Sequence, residues 1–502
     1  MPMKTSRNPQ ALRDQRGSVL IVALIFAAAI AISLATYLRL ATTASKISYR
    51  SHYAGVAMNA AESGLEQAMW SINKQKDSDA SAWTGWDTTS GTTARRTFAL
   101  GTVSGGGAVS VKVLVSDRNL TTTSPYAIAR AIVTPVSGAV VEKWIKISLY
   151  QRSYFKNGLV AKDGIVFSGN NAFVDSYNSE NGAYTPTSII NRYARGSAGS
   201  ASVAVDSLSV GNADIYGYVS IGTSNYTGLK VGSQGKVTGD FSAANGTVDY
   251  SRVSTNFTAN FDPVTAPTDY ATLVTINNDV TLPPLTATAS DSNVSTVTDP
   301  VTGVVTTYYN YTASSVTLKN NEILSIRPGY NVVLTVTGSV SVSGNGSIAV
   351  SSTKDESTGV KLEGTLNLYA AGDVSIAGNG ASNTLTTTPT TGSATTTTSQ
   401  PKNLMIWGTG GTTQTIKVAG NGQLSAVVYA PNAAIEAKGG GTTDGGLFGA
   451  FVGKTVKMTG NEGFHYDESL ADLDSGEPLG IDKWDEFVSS ADRATLGTLM
   501  DF

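Results

Sequence analysis

From Gly17 to Leu38 no position carries a charge, and Arg39 closes the run. A helix of about 22 residues, rising about 1.5 Å per residue, spans roughly 33 Å and so matches a bilayer's hydrocarbon core. Beyond it Ile47, Tyr53, Val56, Ala57, Ala60, Ala61, Gly64, Leu65, Ala68, Met69 and Ile72 recur at three- and four-residue steps. That is an amphipathic stripe of helical period. The two patterns join into one predicted helix from Ser18 to about Lys74, on the order of 85 Å long. Its outer half has one apolar face, which the following domain is expected to cover. In the first half the small residues between Ala27 and Ala31, with Ser33 and Ala35, allow close helix approach in lipid.

The period then changes. Residues 77–95 are polar, with Trp83, Trp86 and repeated Gly and Thr, and read as a loop. Val109, Val111, Val113 and Val115 follow at steps of two, as do Ile145, Ile147 and Leu149. Alternation of this kind marks half-buried strands, and residues 98–150 are expected to form a small antiparallel sheet on the outer helix.

From about Tyr154 short apolar bursts are separated by glycine turns. A Gly-Asn turn recurs in "FSGNNAFV" (Gly169), "SVGNADIYG" (Gly211), "VSGNGSIAV" (Gly344), "IAGNGASN" (Gly378), "VAGNGQLSAVVYA" (Gly420) and "MTGNEGF" (Gly460). Short strands with one turn signal per rung are the mark of a solenoid. A parallel β-helix is the first reading, ahead of a sandwich or a propeller. The later spacings of 34, 42 and 40 residues then correspond to two coils each, if one coil takes roughly 20 residues. Gly supplies the tight or left-handed turn and Asn can stack into a ladder that satisfies its own amide.

Three segments depart from this texture. Residues 251–310, with "FDPVTAPTDY" and "TLPPLTATASD", hold several prolines, which cannot donate to a ladder, and are expected to wrap across the solenoid. Residues 383–401 are Thr-rich and of low complexity, and read as a loop. In the acidic tail, Ile481, Trp484 and Phe487 form an apolar patch expected to cap the last coil. The resulting division is a leader (1–17), the long helix (18–76), a small β domain (77–152), a first solenoid part (153–250), the Pro-containing excursion (251–310), a second solenoid part (311–470) and the tail or cap (471–502).

Composition narrows the chemistry. The net charge of −3 and a charged fraction of 15%, with no basic run, argue against nucleic acid as a partner. There are no cysteines, so disulfides and thiolate metal sites are excluded. The two histidines are His52 and His465. The second lies in "GFHYDESL" beside Asp467 and Glu468, a grouping that could bind metal or move a proton, but it reads as a structural histidine because no second imidazole completes a site. Asp206, Asp214, Asp240 and Asp373 show no convergent spacing, no phosphate-binding fingerprint appears, and the glycine runs at 105–107 and 439–441 read as turns. No catalytic, cofactor-binding or metal residue is assigned, and no cofactor is expected.

The N-terminus is the most informative segment. Lys4, Arg7, Arg13 and Arg16 precede the apolar run, so the leader stays cytoplasmic and the remainder is exported. A secretory signal cut near Ala41 in "LATYLRLATTA", or a plain single-pass anchor, would also fit the hydropathy. The run "DQRGSVLIVALIFAAAIAISLATYLRLA", a basic leader ending in Gly directly against the apolar helix, resembles a class III prepilin signal. With "AMNAAESGLEQAMW" it resembles the N-terminal region of the PilX-type minor pilins of type IV pilus systems, across residues 12–76. The resemblance implies cleavage between Gly17 and Ser18 by a prepilin peptidase, methylation of the new amine, and retention of the helix as anchor and assembly element. It places the assembly motif at Glu62, Gly64 and Leu65, and Val22 at the fifth mature position, where major pilins carry glutamate. PilX-type proteins commonly lack that glutamate.

The stretch from about Tyr308 to Leu470 resembles an uncharacterised β-rich domain often joined to such N-termini. The expectation is therefore a mainly β protein with a long N-terminal helix, and a structural minor pilin rather than an enzyme. It is expected in the inner membrane before assembly, then on the pilus or cell surface. Its expected partners are other pilins, the assembly machinery, and a surface glycan or protein ligand. The alternative is a membrane-tethered β-helix enzyme acting on carbohydrate.

Overall fold

The computed structural model describes residues 16–502 except 78, 104–105, 122–124, 170, 187–189, 268–271, 299–303, 378–379, 399, 421–423, 440–445, 462 and 474–477. The Gly378-Asn379 turn thus lies outside the described residues, as do residues 1–15 of the leader. The protein is mainly β with one long helix, and it divides into two units, residues 1–150 with 479–502, and residues 151–478.

In the first unit the helix α1 runs from Arg16 to Lys76 without interruption. Strands β1 (Ala94–Thr102), β2 (Ala108–Val115), β3 (Tyr126–Thr134) and β4 (Val141–Tyr150) form an antiparallel meander. The outer half of α1 lies on it. Tyr53, Ala57, Ala60, Ala61, Leu65, Ala68 and Ile72 are buried against Val109, Val111, Val113, Ala129, Ile145 and Ile147, so stripe and alternation meet in one core. Ile47, at the start of the stripe, remains exposed.

The tail is placed differently from the expectation. Gly480–Glu486 pairs antiparallel with β4 and extends this sheet. Its Ile481 and Trp484 are largely exposed, whereas Phe487 packs with Leu496 and Met500 on Leu114, Ile128 and Trp144, the face opposite α1. Of the expected patch, Phe487 therefore packs within the first unit, while Ile481 and Trp484 lie on the strand that extends its sheet. The physical reason is the free edge of β4 together with an apolar second face, both of which the tail covers.

Among the described residues the second unit is a continuous system of 27 strands, nearly all paired in parallel. Tyr311, Leu334, Leu368, Ile406, Val428, Phe451, Leu159, Ala198, Val219 and Val253 are successive partners, all buried in one column. A second column runs Val316, Val340, Val374, Ile416, Ile435, Val456, Ile165 and Leu208. A third runs Leu324, Ile348, Ala381, Leu424, Leu447, Phe464, Val174, Ile215 and Val237. Like apolar residues stacked on like, about 4.8 Å apart, give every inward position the same environment on each rung.

Stack order is not chain order. Phe451 pairs with Leu159, so the chain enters mid-stack, climbs to Val253, and resumes at the far end with Thr272 beside Tyr311. The Pro-containing segment makes that return. Phe257 donates its N–H to Ile221, Tyr429 donates its hydroxyl to the Asp262 carbonyl, and Thr335 donates to the Pro267 carbonyl.

The lengths of chain between successive paired strands also differ from the expected regularity. Val340 pairs with Val374 and Val374 with Ile416, so the spacings of 34 and 42 are single steps. The extra chain is spent in antiparallel hairpins, Thr353 against Leu362 and Thr384 against Thr398. Only the last spacing, from Gly420 through Gly439 to Gly460, covers two steps. The Thr-rich segment read as a loop thus supplies strands 381–388 and 395–398. Within the turns, Gly344 has φ +60° and Asn320 one rung earlier has φ +61°, and Asn345 donates to Asn321 at 3.2 Å.

Candidate functional site

Two places carry features beyond packing. The first is α1. Its apolar stretch has no covering in the unit: Val19, Phe26 and Leu40 are 68%, 65% and 67% exposed. Among the described residues it is the one helix long and apolar enough to cross a membrane. Two of its hydroxyls, on Ser33 and Thr36, do not oppose that. Ser33 donates to the Ala29 carbonyl and Thr36 to the Ile32 carbonyl, each at 2.8 Å, so neither is left unsatisfied in an apolar surrounding. Gly17 and Ser18 lie in its first turn, and Val22 is exposed within the apolar stretch.

The motif residues Glu62, Gly64 and Leu65 separate by face. Glu62 is exposed, whereas Gly64 and Leu65 are buried toward the sheet. A Cβ at Gly64 would lie 2.8 Å from both Val111 Cγ1 and Val113 Cγ2, so glycine lets the helix approach β2 closely. Gly64 and Leu65 are engaged inside this unit, and only Glu62 is presented outward.

The second place is a buried polar network in the second unit. Phe173–Tyr177 and Gly463–Asp467 are parallel neighbours, with Asp175 beside His465. Val174 and Phe464 face the core, so Asp175 and His465 face the other way, beneath the segment that includes Tyr184, Asn191 and Arg192. His465 Nδ1 is 2.6 Å from Asp175 Oδ1, and Oδ2 accepts from Tyr184 (2.8 Å) and from Arg192 Nε (2.7 Å). The Tyr184 ring lies over the imidazole at 3.8 Å. Burial, followed by the Asp175 charge, holds the Tyr184 phenol well above its usual range, so it remains a donor. Asn191 fixes the covering segment by donating to the carbonyls of Asn178, Gly182 and Ala183.

Next to it, Asp467 Oδ1 accepts from the backbone N–H groups of Ser179 and Ser469. Burial pushes this carboxyl above its ordinary value of 3.8, against the lowering effect of those bonds. Its Oδ2 and the Tyr177 hydroxyl are buried with no hydrogen-bond partner among the described residues.

The network can hold a loop in place and orient Arg192. Among the described residues no group of three His, Cys, Asp or Glu side chains could hold a metal ion. Asp206, Asp214, Asp240 and Asp373 are engaged separately, with Lys230, with Lys236 and Tyr216, with Ser242, and with the Thr415 N–H. His465 is legible in the sequence, but its partners Asp175, Tyr184 and Arg192 are not. The available signal was Asp175, a carboxylate inside the apolar burst "NAFVDSY".

Residues 273–473 match a family described as a domain of unknown function (DUF7305), which covers less than half of the chain. The match contains the stretch from Tyr308 to Leu470. A search of curated proteins returns no match. Among solved structures, the competence-associated pilin ComZ from Thermus thermophilus aligns with 87% of this chain and 98% of its own at 11% identity, with a TM-score of 0.20. A superposition that loose carries no argument about fold or function.

Proposed function

We propose that this chain is a structural minor pilin of a type IV pilus-like system, incorporated through α1 at or near the filament tip. The observation that carries the reading is the basic leader ending in Gly17, placed directly against an apolar helix that has no covering in its own unit. The prepilin peptidase cuts between Gly17 and Ser18, and the new amine is methylated. The helix first holds the protein in the inner membrane and then packs among the helices of other pilins. Val22, in place of the fifth-position glutamate, offers no carboxylate to a neighbouring amine, which suits a subunit with no neighbour above it.

In this reading residues 151–478 form a parallel β-helix, which three stacked apolar columns support. Shaft subunits pack their heads at short axial intervals and cannot carry a body of this size. A tip subunit faces solvent on most sides and can display it for assembly initiation or adhesion. Immunogold labelling of filaments tests the placement. Label at filament ends is expected; label along the shaft contradicts it, and label only on the cell body favours the tethered-enzyme alternative.

A further inference from the structure

The turns of the second unit build a lined cavity. Phe173, Asp214 and Lys236 are partners on successive strands, so Asn171, Asn212 and Gln234, each two residues earlier, occupy equivalent turn positions. The Val237–Val248 bridge extends the series to Asn245, which donates to Gln234. These four amides, with Phe173, Arg192, Asp214 and Tyr216, line an open cavity of about 460 Å³, within the range of about 300–1,000 Å³ usual for small-ligand sites.

The lining is held in place before any ligand arrives. Arg192 is tied from below by Asp175 and by the Pro186 carbonyl, and its guanidinium lies 4.3 Å from the Phe241 ring centre. Tyr216 donates to Asp214 at 3.0 Å and its ring is 4.6 Å from Phe241. Both charges at the wall are neutralised, Arg192 by Asp175 and Asp214 by Lys236. An ionic ligand therefore finds no uncompensated partner. What the wall offers is a row of amide side chains, a group that can both donate and accept, beside aromatic rings, with Asn245 and Gln234 already sharing one bond.

On the other side of the same turn, Gly232 and Ser233 line a second cavity of about 510 Å³ with the tyrosine pair Tyr226 and Tyr250, whose rings are 4.8 Å apart, and with Asp206 and Lys230, which pair with each other at 3.3 Å. We infer that the two cavities form one binding surface for a neutral oligosaccharide. Its hydroxyls bond to the repeated amides, and its sugar rings lie on the exposed aromatic faces. The inference deepens the display reading by naming the ligand class, and it rests on that reading for its biological setting only.

The test uses the full chain in detergent against an array of neutral oligosaccharides of the hexose and N-acetylhexosamine series, with sulfated glycans and acidic peptides alongside. Binding to at least one neutral series is expected, weakened roughly tenfold or more by Asn171→Ala, Asn245→Ala or Tyr250→Ala. These positions are exposed, so unchanged thermal unfolding is expected for each variant. Absence of binding to every neutral series, binding confined to the anionic probes, or affinity unchanged in all three variants overturns the inference. Because binding is read on the isolated chain, its failure is separate from a failure of the filament labelling.

Discussion

His465 and Asp175 sit 2.6 Å apart, Nδ1 to Oδ1, across 290 residues of chain, because the strand that carries His465 closes the ladder onto the strand that carries Asp175. The pair joins the last strand of the second unit to one of its first. Asp175 is fully buried and also accepts from Tyr184 and Arg192. Asp175→Ala would leave these donors unpaired, and a loss of about 3–5 kcal/mol in the stability of residues 151–478 is expected. Urea unfolding monitored in the full chain checks this, and a loss below about 1 kcal/mol would mean the network is dispensable.

Asp467 makes the same region pH-sensitive. Its carboxyl is raised above 3.8 in the folded protein, chiefly by burial. The folded state thus binds the proton more tightly than the unfolded chain does, and a stability penalty is present at neutral pH. It is relieved as the pH falls toward the raised folded value, above 3.8. Asp467→Asn keeps an oxygen for the Ser179 and Ser469 N–H groups and removes the charge. The variant is expected to lose the stabilisation that protonation of this carboxyl gives as the pH is lowered from neutral, read as urea midpoints across the acid range; a pH dependence identical to the wild type's would contradict the assignment.

The turns are tested by glycine. A Cβ at Gly169 would lie 1.6 Å from the Gly460 carbonyl oxygen, a backbone atom with no side chain to move aside. Gly169→Ala is expected to destabilise the unit by about 3 kcal/mol. Gly344→Val faces a different obstacle, a φ of +60°, and should cost about 1–3 kcal/mol. Thermal unfolding compares the two, and wild-type stability in both would place the turns elsewhere.

Glu62 and Gly64 are separable by the same logic. Gly64→Val pushes a branched side chain against Val111 and Val113, and a loss of about 1–3 kcal/mol in the first unit is expected. Glu62→Gln is exposed and should leave stability within about 0.5 kcal/mol. If Glu62 acts in assembly, its variant lowers incorporation into filaments at unchanged melting temperature. A Glu62 variant that melts early would remove that distinction.

What the sequence made legible was whatever repeats with a short period. The helical stripe at Tyr53, Ala57, Ala61, Leu65, Ala68 and Ile72 and the alternation at Val109–Val115 predict the core in which they meet. The rung lengths were not legible, because a hairpin such as Thr384–Thr398 carries the same β-branched residues as a rung. Nor was the stack order, since pairing of Phe451 with Leu159 depends on which edges remain free after folding. The Asp175 network and the amide series at Asn171, Asn212, Gln234 and Asn245 depend on register between distant strands, which no local pattern encodes.

In the proposed reading a prepilin peptidase cuts at the cytoplasmic end of α1 and the helix is retained afterwards. Intact-protein and N-terminal peptide mass spectrometry of the chain purified from a type IV pilus-bearing host tests it most directly. A mature chain starting at Ser18 with a methylated amine is expected, as is accumulation of the uncut form for Gly17→Leu. A chain that keeps Met1, or one that begins near Ala41 without the apolar helix, would contradict it.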